Sequence, residues 1–463
     1  MKKFFPLLLF SAFLVFTSLQ AQNGNQNPAS SGHKRNVQIP IEKVYLHLDR
    51  PFYSAGDDIW FKAYLVDALN NKLYNNSNNL NIELISPESK IVRHFAIRLD
   101  NGTGVGDIHL GDSIPSGTYQ ICAYTNWMRN FNDEFSFKKE IVIENPLGLK
   151  IVLPPVPKTD KNKIDVQFFP EGGPLVENVY TLLGFKAVSF SGYGIDIKGK
   201  VISSQGDSVG SFASAHLGMG SFNFIPKKGL TYIAVGTADD GSTFRTEIPV
   251  ALKTGYSIRV SDVDNSHIRV TIKTNQETLE QYPGRELIVV GSCHNLLCLT
   301  AKTRAKALIN TVTLPKNDFP EGIARITLMD TTGITYCERI YYVRNKENYQ
   351  IKVSPDSKVY APRQKVTLQI SVKDTANKPV AANLSLSVVD GNQVRGFDKQ
   401  PDIKSYLLFE SEIHGHIEQP YYYFDTTNTD CYKALDNLLL TQGWRNFVWK
   451  YLSDSVIKMD YPI

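Results

Sequence analysis

His414 and His416 stand two residues apart, a spacing that puts both imidazoles on one face of a strand and makes half of a metal site. A tetrahedral site takes three or four ligands, and with no third read nearby the pair reads as scaffold. Cys293 and His294 are neighbours. Adjacent strand residues point to opposite faces, so thiol and imidazole diverge and form no nucleophile–base pair. Tyr45, His47 and Asp49 share a strand face that could hold something polar, and a cross-strand hydrogen-bond network is the plainer use of such a face. Arg50 could hold a carboxylate at the turn that follows, with the same plainer alternative. Gly172-Gly173 and Gly218-x-Gly220 are turn glycines, since neither leads into a Lys-Ser/Thr pair or a helix as a phosphate loop would. Nucleophile-elbow, zincin and kinase signatures are missing from the sequence. These residues give no catalytic group, no metal site and no cofactor site, and the chain reads as a non-enzyme.

The elements that hold these residues are strands. In residues 42–66, Val44, Leu46 and Leu48 alternate with Tyr45, His47 and Asp49, and Ile59, Phe61, Ala63 and Leu65 alternate with Trp60, Lys62, Tyr64 and Val66. Between the two runs, Pro51 fixes its own backbone and pushes Arg50 to extended geometry, while Gly56-Asp57 supplies a turn. Further short runs, each bounded by a turn such as Asp100-Asn101-Gly102, follow at 8–12-residue intervals, the signature of a β-sandwich. The expected bodies are a first sandwich at 37–147, a second at 164–252, a third at 253–346 and a fourth at 347–424. Pro154, Pro155 and Pro157 stiffen the linker before the second body, and the third opens with a hairpin around Asp264-Asn265. In the fourth, Val366, Leu368, Ile370 and Val372 alternate, and Leu384, Leu386 and Val388 do so again.

Residues 425–463 depart from this pattern. Asp430 is placed to cap a helix that carries Leu435, Leu438 and Leu439 at helical spacing, and Gly443 is placed to stop it before Trp444. Packing against the fourth sandwich is the default expectation for this helix. The sharper one makes Leu435, Leu438, Leu439 and Trp444 a docking surface for a partner.

The chain has 463 residues, 50 of them basic and 46 acidic, for a net charge of +4, too balanced for a surface built to neutralise many phosphates. Lys2 and Lys3, the apolar run from Phe4 to Phe16 and the small residue Ala21 make residues 1–21 a signal peptide, followed by a flexible leader at 22–36. That run is shorter than the ~20 apolar residues a spanning helix needs, so the expected mature chain is exported with no transmembrane segment. Five cysteines cannot all pair within one chain and are too few to staple it. Cys293 and Cys298 are close enough in sequence to bridge, a matter that geometry decides.

Taken together, Tyr45-x-His-x-Asp-Arg-Pro-x-Tyr53 with Gly56-Asp57, Phe168-Phe-Pro-Glu-Gly-Gly173, His216-Leu-Gly-Met-Gly-Ser-Phe222, Ala382-Asn-Leu-Ser-Leu-Ser-Val-Val-Asp390 and Leu438-Leu-Leu-Thr-Gln-Gly-Trp-Arg445 resemble the bacterial alpha-2-macroglobulin-like family. The first of these looks like the family's second macroglobulin domain. The resemblance implies an all-β tandem array of macroglobulin-like sandwiches, of immunoglobulin or fibronectin type, with a short C-terminal helical segment. Longer relatives look as if they continue into a plug-like domain of TonB-dependent receptors. None of the five cysteines lies in the Gly-Cys-Gly-Glu-Gln setting of the family's thioester. The implied partners are therefore envelope proteins, an outer-membrane transporter or a protease among them, met in the periplasm or at the cell surface. Two functions follow from the resemblance: a non-catalytic array that scaffolds or binds proteins, or an endopeptidase inhibitor without a thioester. The second needs a bait segment, and the loop from Gly391 to Tyr406 with Arg395 and Lys399 is the candidate.

Overall fold

The computed structural model describes residues 40–131, 135–151, 164–293, 296–344, 349–392, 401–413, 415–443 and 461. The segments expected as signal peptide (1–21) and leader (22–36), Pro154, Pro155, Pro157, Arg395, Lys399, His414 and Trp444 lie outside the described residues.

The first body holds β1 (Glu42–Leu48), β2 (Phe52–Ser54), β3 (Asp58–Asp67), β4 (Asn79–Ile85), β5 (Ile91–Arg98), β6 (Thr103–His109), β7 (Gly117–Tyr124) and β8 (Phe137–Glu144). A three-stranded sheet, β1-β3-β6, faces a five-stranded one, β2-β8-β7-β4-β5. Residues of alternate parity from the two sheets, among them Val44, Leu46, Ile59, Leu65, Ile82 and Ile121, interleave to form the core. Antiparallel register sets Leu46 opposite Ala63 and Leu48 opposite Phe61, as the alternation requires.

The second body holds β9 (Asp165–Pro170), β10 (Thr181–Val188), β11 (Ile197–Ser203), β12 (Ser208–Ala213), β13 (Met219–Phe224), β14 (Tyr232–Ala238) and β15 (Thr243–Glu247). Its sheets run β13-β10-β9 and β12-β11-β14-β15 around an aromatic core, in which Phe168 meets Phe212 edge-on at 5.6 Å. The third body holds β16 (Tyr256–Asp262), β17 (His267–Thr274), the short helix α1 (Gln276–Gln281), β18 (Glu286–Cys293), β19 (Leu296–Arg304), β20 (Ile309–Pro315), β21 (Gly322–Asp330) and β22 (Thr335–Val343). Its sheets run β16-β17-β20 and β19-β18-β21-β22.

The segment expected to form a fourth sandwich is different. Among its described residues the paired strands are β23 (Tyr349–Pro355) and β24 (Leu368–Asp374), joined as one two-stranded sheet. The second alternating run is no strand, and Leu384, Leu386 and Val388 are exposed. Alternation marks a chain able to lie on a sheet but supplies no opposite sheet, and among the described residues none covers this hairpin. The chain continues through α2 (Ile403–Leu408), two 3-10 turns at Glu410–Glu412 and Pro420–Phe424, and α3 (Cys431–Gln442).

Candidate functional site at the junction of the sandwiches

The opening strand is buried on both faces, against the half-buried pattern expected of it. Glu42 and Lys43 are buried at its start, and Tyr45, on the face opposite Val44, Leu46 and Leu48, is buried as well. What covers that face is the segment 401–413. Asp402 caps α2, its carboxylate accepting from the Ser405 N–H at 2.7 Å while the Ser405 hydroxyl accepts from the Asp402 N–H at 3.0 Å. The capped helix seats Tyr406 against Tyr45 and Phe137, with centroids 5.5 and 5.2 Å away, and puts Leu407 into the first core. Lys43 pairs with Glu412. Glu410 is pushed up to about 7, chiefly by burial, with Asp402 adding to the rise and Ser405 and Lys139 opposing it.

The polar residues of the opening stretch have structural partners. Asp49 accepts from the Tyr53 hydroxyl at 2.8 Å and the Trp60 N–H at 3.0 Å. Arg50 lies 3.3 Å from the Asp49 carboxylate and 3.2 Å from that of Asp57, closing the turn as a clasp. His47 Nδ1 lies 2.6 Å from the Ser385 hydroxyl, which also accepts from Tyr64 at 2.8 Å. Lys62 donates to the Leu384 carbonyl at 2.9 Å and to Asn383. The cross-strand network expected here thus reaches to a segment 338 residues away, which no local spacing encodes.

The same C-terminal segment reaches the other two bodies. Phe409 packs against Tyr342 of β22 at 6.1 Å, a Cβ on Gly322 of β21 would lie 3.2 Å from the Leu408 carbonyl, and Lys404 lies 3.1 Å from Glu321. Helix α3 then lies on β9, β10 and β13 of the second body and β22 of the third. Leu435, Leu438 and Leu439 are 2%, 0% and 3% exposed, in one apolar cluster with Met219, Ile323 and Ile340. That corrects two expectations. The helix packs between the second and third sandwiches, not on a fourth, and these three leucines are consumed within the chain instead of offered to a partner. The amphipathic stripe was legible from spacing, while its place was not, because apolar area has no address.

Polar contacts fix the helix in register. Ser221 donates to Asn437 Oδ1 at 2.8 Å, and the Thr441 hydroxyl meets Met219 Sδ at 3.4 Å. Arg339 of β22, buried, puts Nη2 2.5 Å from Asp436 Oδ1 and Nε 3.5 Å from Glu171 Oε1. One guanidinium therefore joins a residue from each of the three packed parts. Burial drives Glu171 up to about 7 against the opposing pull of Arg339. Asp430 makes no side-chain cap, and Gly443 ends the helix in ordinary right-handed geometry. Glycine is needed there for space, since a Cβ would lie 2.0 Å from Ile340 Cδ1. The stretches around Glu171, His216–Phe222 and Leu438–Gly443, far apart in sequence, all meet at this junction.

The remaining candidates are placed as follows. His416 lies 6.5 Å edge-on from Tyr193 and its carbonyl accepts from Gln442. Among the described residues no group of three His, Cys, Asp or Glu is placed to hold a metal ion. All five cysteines are thiols; Cys293 is buried, and its pKa is raised by burial and by the Cys298 thiol beside it. Among the described residues no helix is long and apolar enough to cross a membrane.

Residues 43–138 match the family model of the MG2 domain. The first sandwich is an MG2 domain. No curated protein matches the chain. Among solved structures, the chain is similar to Salmonella alpha-2-macroglobulin, at 12% identity over 72% of this chain and 25% of that one, with a TM-score of 0.20. It is similar to Escherichia coli alpha-2-macroglobulin activated by porcine elastase, at 12% identity over 72% of this chain and 33% of that one, with a TM-score of 0.23. For dimeric latent PorU from Porphyromonas gingivalis the values are 12%, 66%, 34% and 0.29. The chain spans 25% and 33% of the two alpha-2-macroglobulins, and overlays at these TM-scores say nothing of how the sandwiches are arranged.

Proposed function

We propose that the chain is a non-catalytic exported protein of the cell envelope, a macroglobulin-type array that holds binding surfaces for partner proteins in fixed relation. The observation that carries this reading is the use of residues 401–443 as a strap. One segment enters the first core through Leu407 and ties the second and third bodies together through α3 and Arg339. A chain that spends its C-terminal helix on rigidity is suited to display, and the polar candidates for chemistry are taken up by turn and strap contacts. The partner classes are envelope proteins, with an outer-membrane transporter among them. The test is retention of envelope proteins by the intact chain, compared with a Leu438→Asp, Leu439→Asp variant that releases the strap. Partners lost with the strap, while circular dichroism still reports folded sandwiches, fit the reading. Retention of none by the intact chain refutes it.

The MG2 match supports a second reading, endopeptidase inhibition without a thioester. The solved relative activated by porcine elastase is a protein on which a protease acts. Here the loop with Arg395 and Lys399 would be the bait. Limited proteolysis tests it: cleavage in that loop together with protection of a large protein substrate favours inhibition, and cleavage without protection excludes it.

A further inference from the structure

The hairpin of β23 and β24 has two unlike faces. Register puts Ile351 opposite Val372 and Val353 opposite Ile370, with Tyr349 in line and Asp374 opposite it, so one face is apolar except at the Asp374 end. Gln350, Lys352, Ser354, Gln369, Ser371 and Lys373 make the other face polar. A face of this kind is made to be covered, yet Tyr349 is 59% exposed and Ile351 61%. Among the described residues β23 pairs with no strand on its outer edge. The hairpin also has a fixed seat. The chain leaving β24 turns back so that the Val380 N–H donates to the Val372 carbonyl at 2.9 Å, and Asn383 to Ser385 are then held by Lys62, His47 and Tyr64 of the MG2 domain.

Charge says what would cover it. From Tyr349 to Val388 the basic residues are Lys352, Lys358, Arg363, Lys365, Lys373 and Lys378, against Asp356 and Asp374 alone. That surplus equals the net charge of +4 of the entire chain. Lys352 on the open strand and Lys373 on the same face of β24 repel a second copy of this edge and attract an acidic strand. We propose that this hairpin is a strand acceptor: its free β23 edge and apolar face take an extended segment of a partner protein in which apolar residues alternate with acidic ones. Backbone pairing along β23 would give affinity, and the lysines would select sign. This rests on the partner-binding reading above and names one of its surfaces.

The test uses the intact chain and a synthetic peptide of alternating Val and Glu, with Val-Lys and Gly-Glu peptides as comparators. Affinity is read by fluorescence anisotropy at low and high salt, and place by amide exchange. The Val-Glu peptide is expected to bind, to slow exchange along β23, and to weaken by about tenfold or more both in high salt and in Lys352→Glu, Lys373→Glu. Three results overturn the proposal: equal binding of the Val-Lys peptide, no slowing along β23, or β23 amides already protected in the free chain, which would mean that the chain covers this face itself. Envelope extracts separate the two levels. If the parent and the Lys352→Glu, Lys373→Glu chain retain the same proteins, the binding reading stands and this surface is wrong. If neither retains any, both fall.

Discussion

Replacing Glu171 with Gln should alter how stability depends on pH, in a direction that the junction fixes. The carboxyl sits at about 7 in the folded chain, against an ordinary value of 4.5, because burial outweighs the nearby Arg339 guanidinium. A carboxyl whose folded value is raised holds its proton more tightly in the fold than in the unfolded chain. Its stabilising contribution is therefore complete below about pH 4.5 and is lost as pH rises through 7. The rise is worth roughly 3 kcal/mol at 1.36 kcal/mol per unit. Gln cannot titrate, and Arg339 keeps Asp436 at 2.5 Å as its partner. The stability of Glu171→Gln relative to the parent should thus climb by about 3 kcal/mol between pH 4 and pH 8. Urea unfolding followed by circular dichroism measures this at each pH, and Glu410, which titrates the same way on the first sandwich, cancels in the difference. A difference that stays flat would mean that Arg339 fully offsets burial. One that falls with pH would mean that Arg339 wins, and either result refutes the account of this triad.

Leu438→Ala removes a fully buried side chain at the meeting of α3 with both sandwiches and should cost about 2–5 kcal/mol in urea unfolding. Gly172→Ala should lower stability by more than about 2 kcal/mol, because Gly172 has φ of 76° and a Cβ there would lie 2.5 Å from the Ile258 carbonyl of the third body. Arg339→Met leaves the Glu171 carboxylate buried without its guanidinium and should cost about 3–5 kcal/mol at pH 8 and less at pH 4, where Glu171 is neutral. Iodoacetamide on the native protein should modify Cys298 well before Cys293, Cys337 and Cys431, which are buried; mass spectrometry of the digest would show equal rates if that burial were wrong.

Strands were the legible part of this fold. Alternation in residues 42–66 marks two strands and their inward residues, and Asn101-Gly102, both at positive φ, turns the chain where its dipeptide says. Alternation also marked Leu384, Leu386 and Val388, yet they lie on no strand, because a pattern states what a face would bury and not whether anything faces it. Long-range partners were illegible for the same reason. Nothing near Lys43 points to Glu412, and nothing near His47 points to Ser385. One signal was present and could have been used. Arg339 stands beside the apolar run Ile340–Val343 and Glu171 inside Phe-Phe-Pro-Glu-Gly-Gly, and a charge set in an apolar stretch asks for an opposite charge elsewhere. The helix was visible as an apolar stripe, but its choice of the second and third bodies depended also on Arg339 and Ser221, which lie on the strands it meets.

Amide hydrogen exchange along Cys431–Gln442 in the intact chain tests the strap most directly. If the helix joins the sandwiches as described, the amides of Leu435, Leu438 and Leu439 should exchange as slowly as those of β13 and β22, and all should speed up together in Leu438→Asp, Leu439→Asp. Fast exchange of the helix beside slow exchange of those strands would contradict the account, returning the three leucines to the surface and the array to separate bodies.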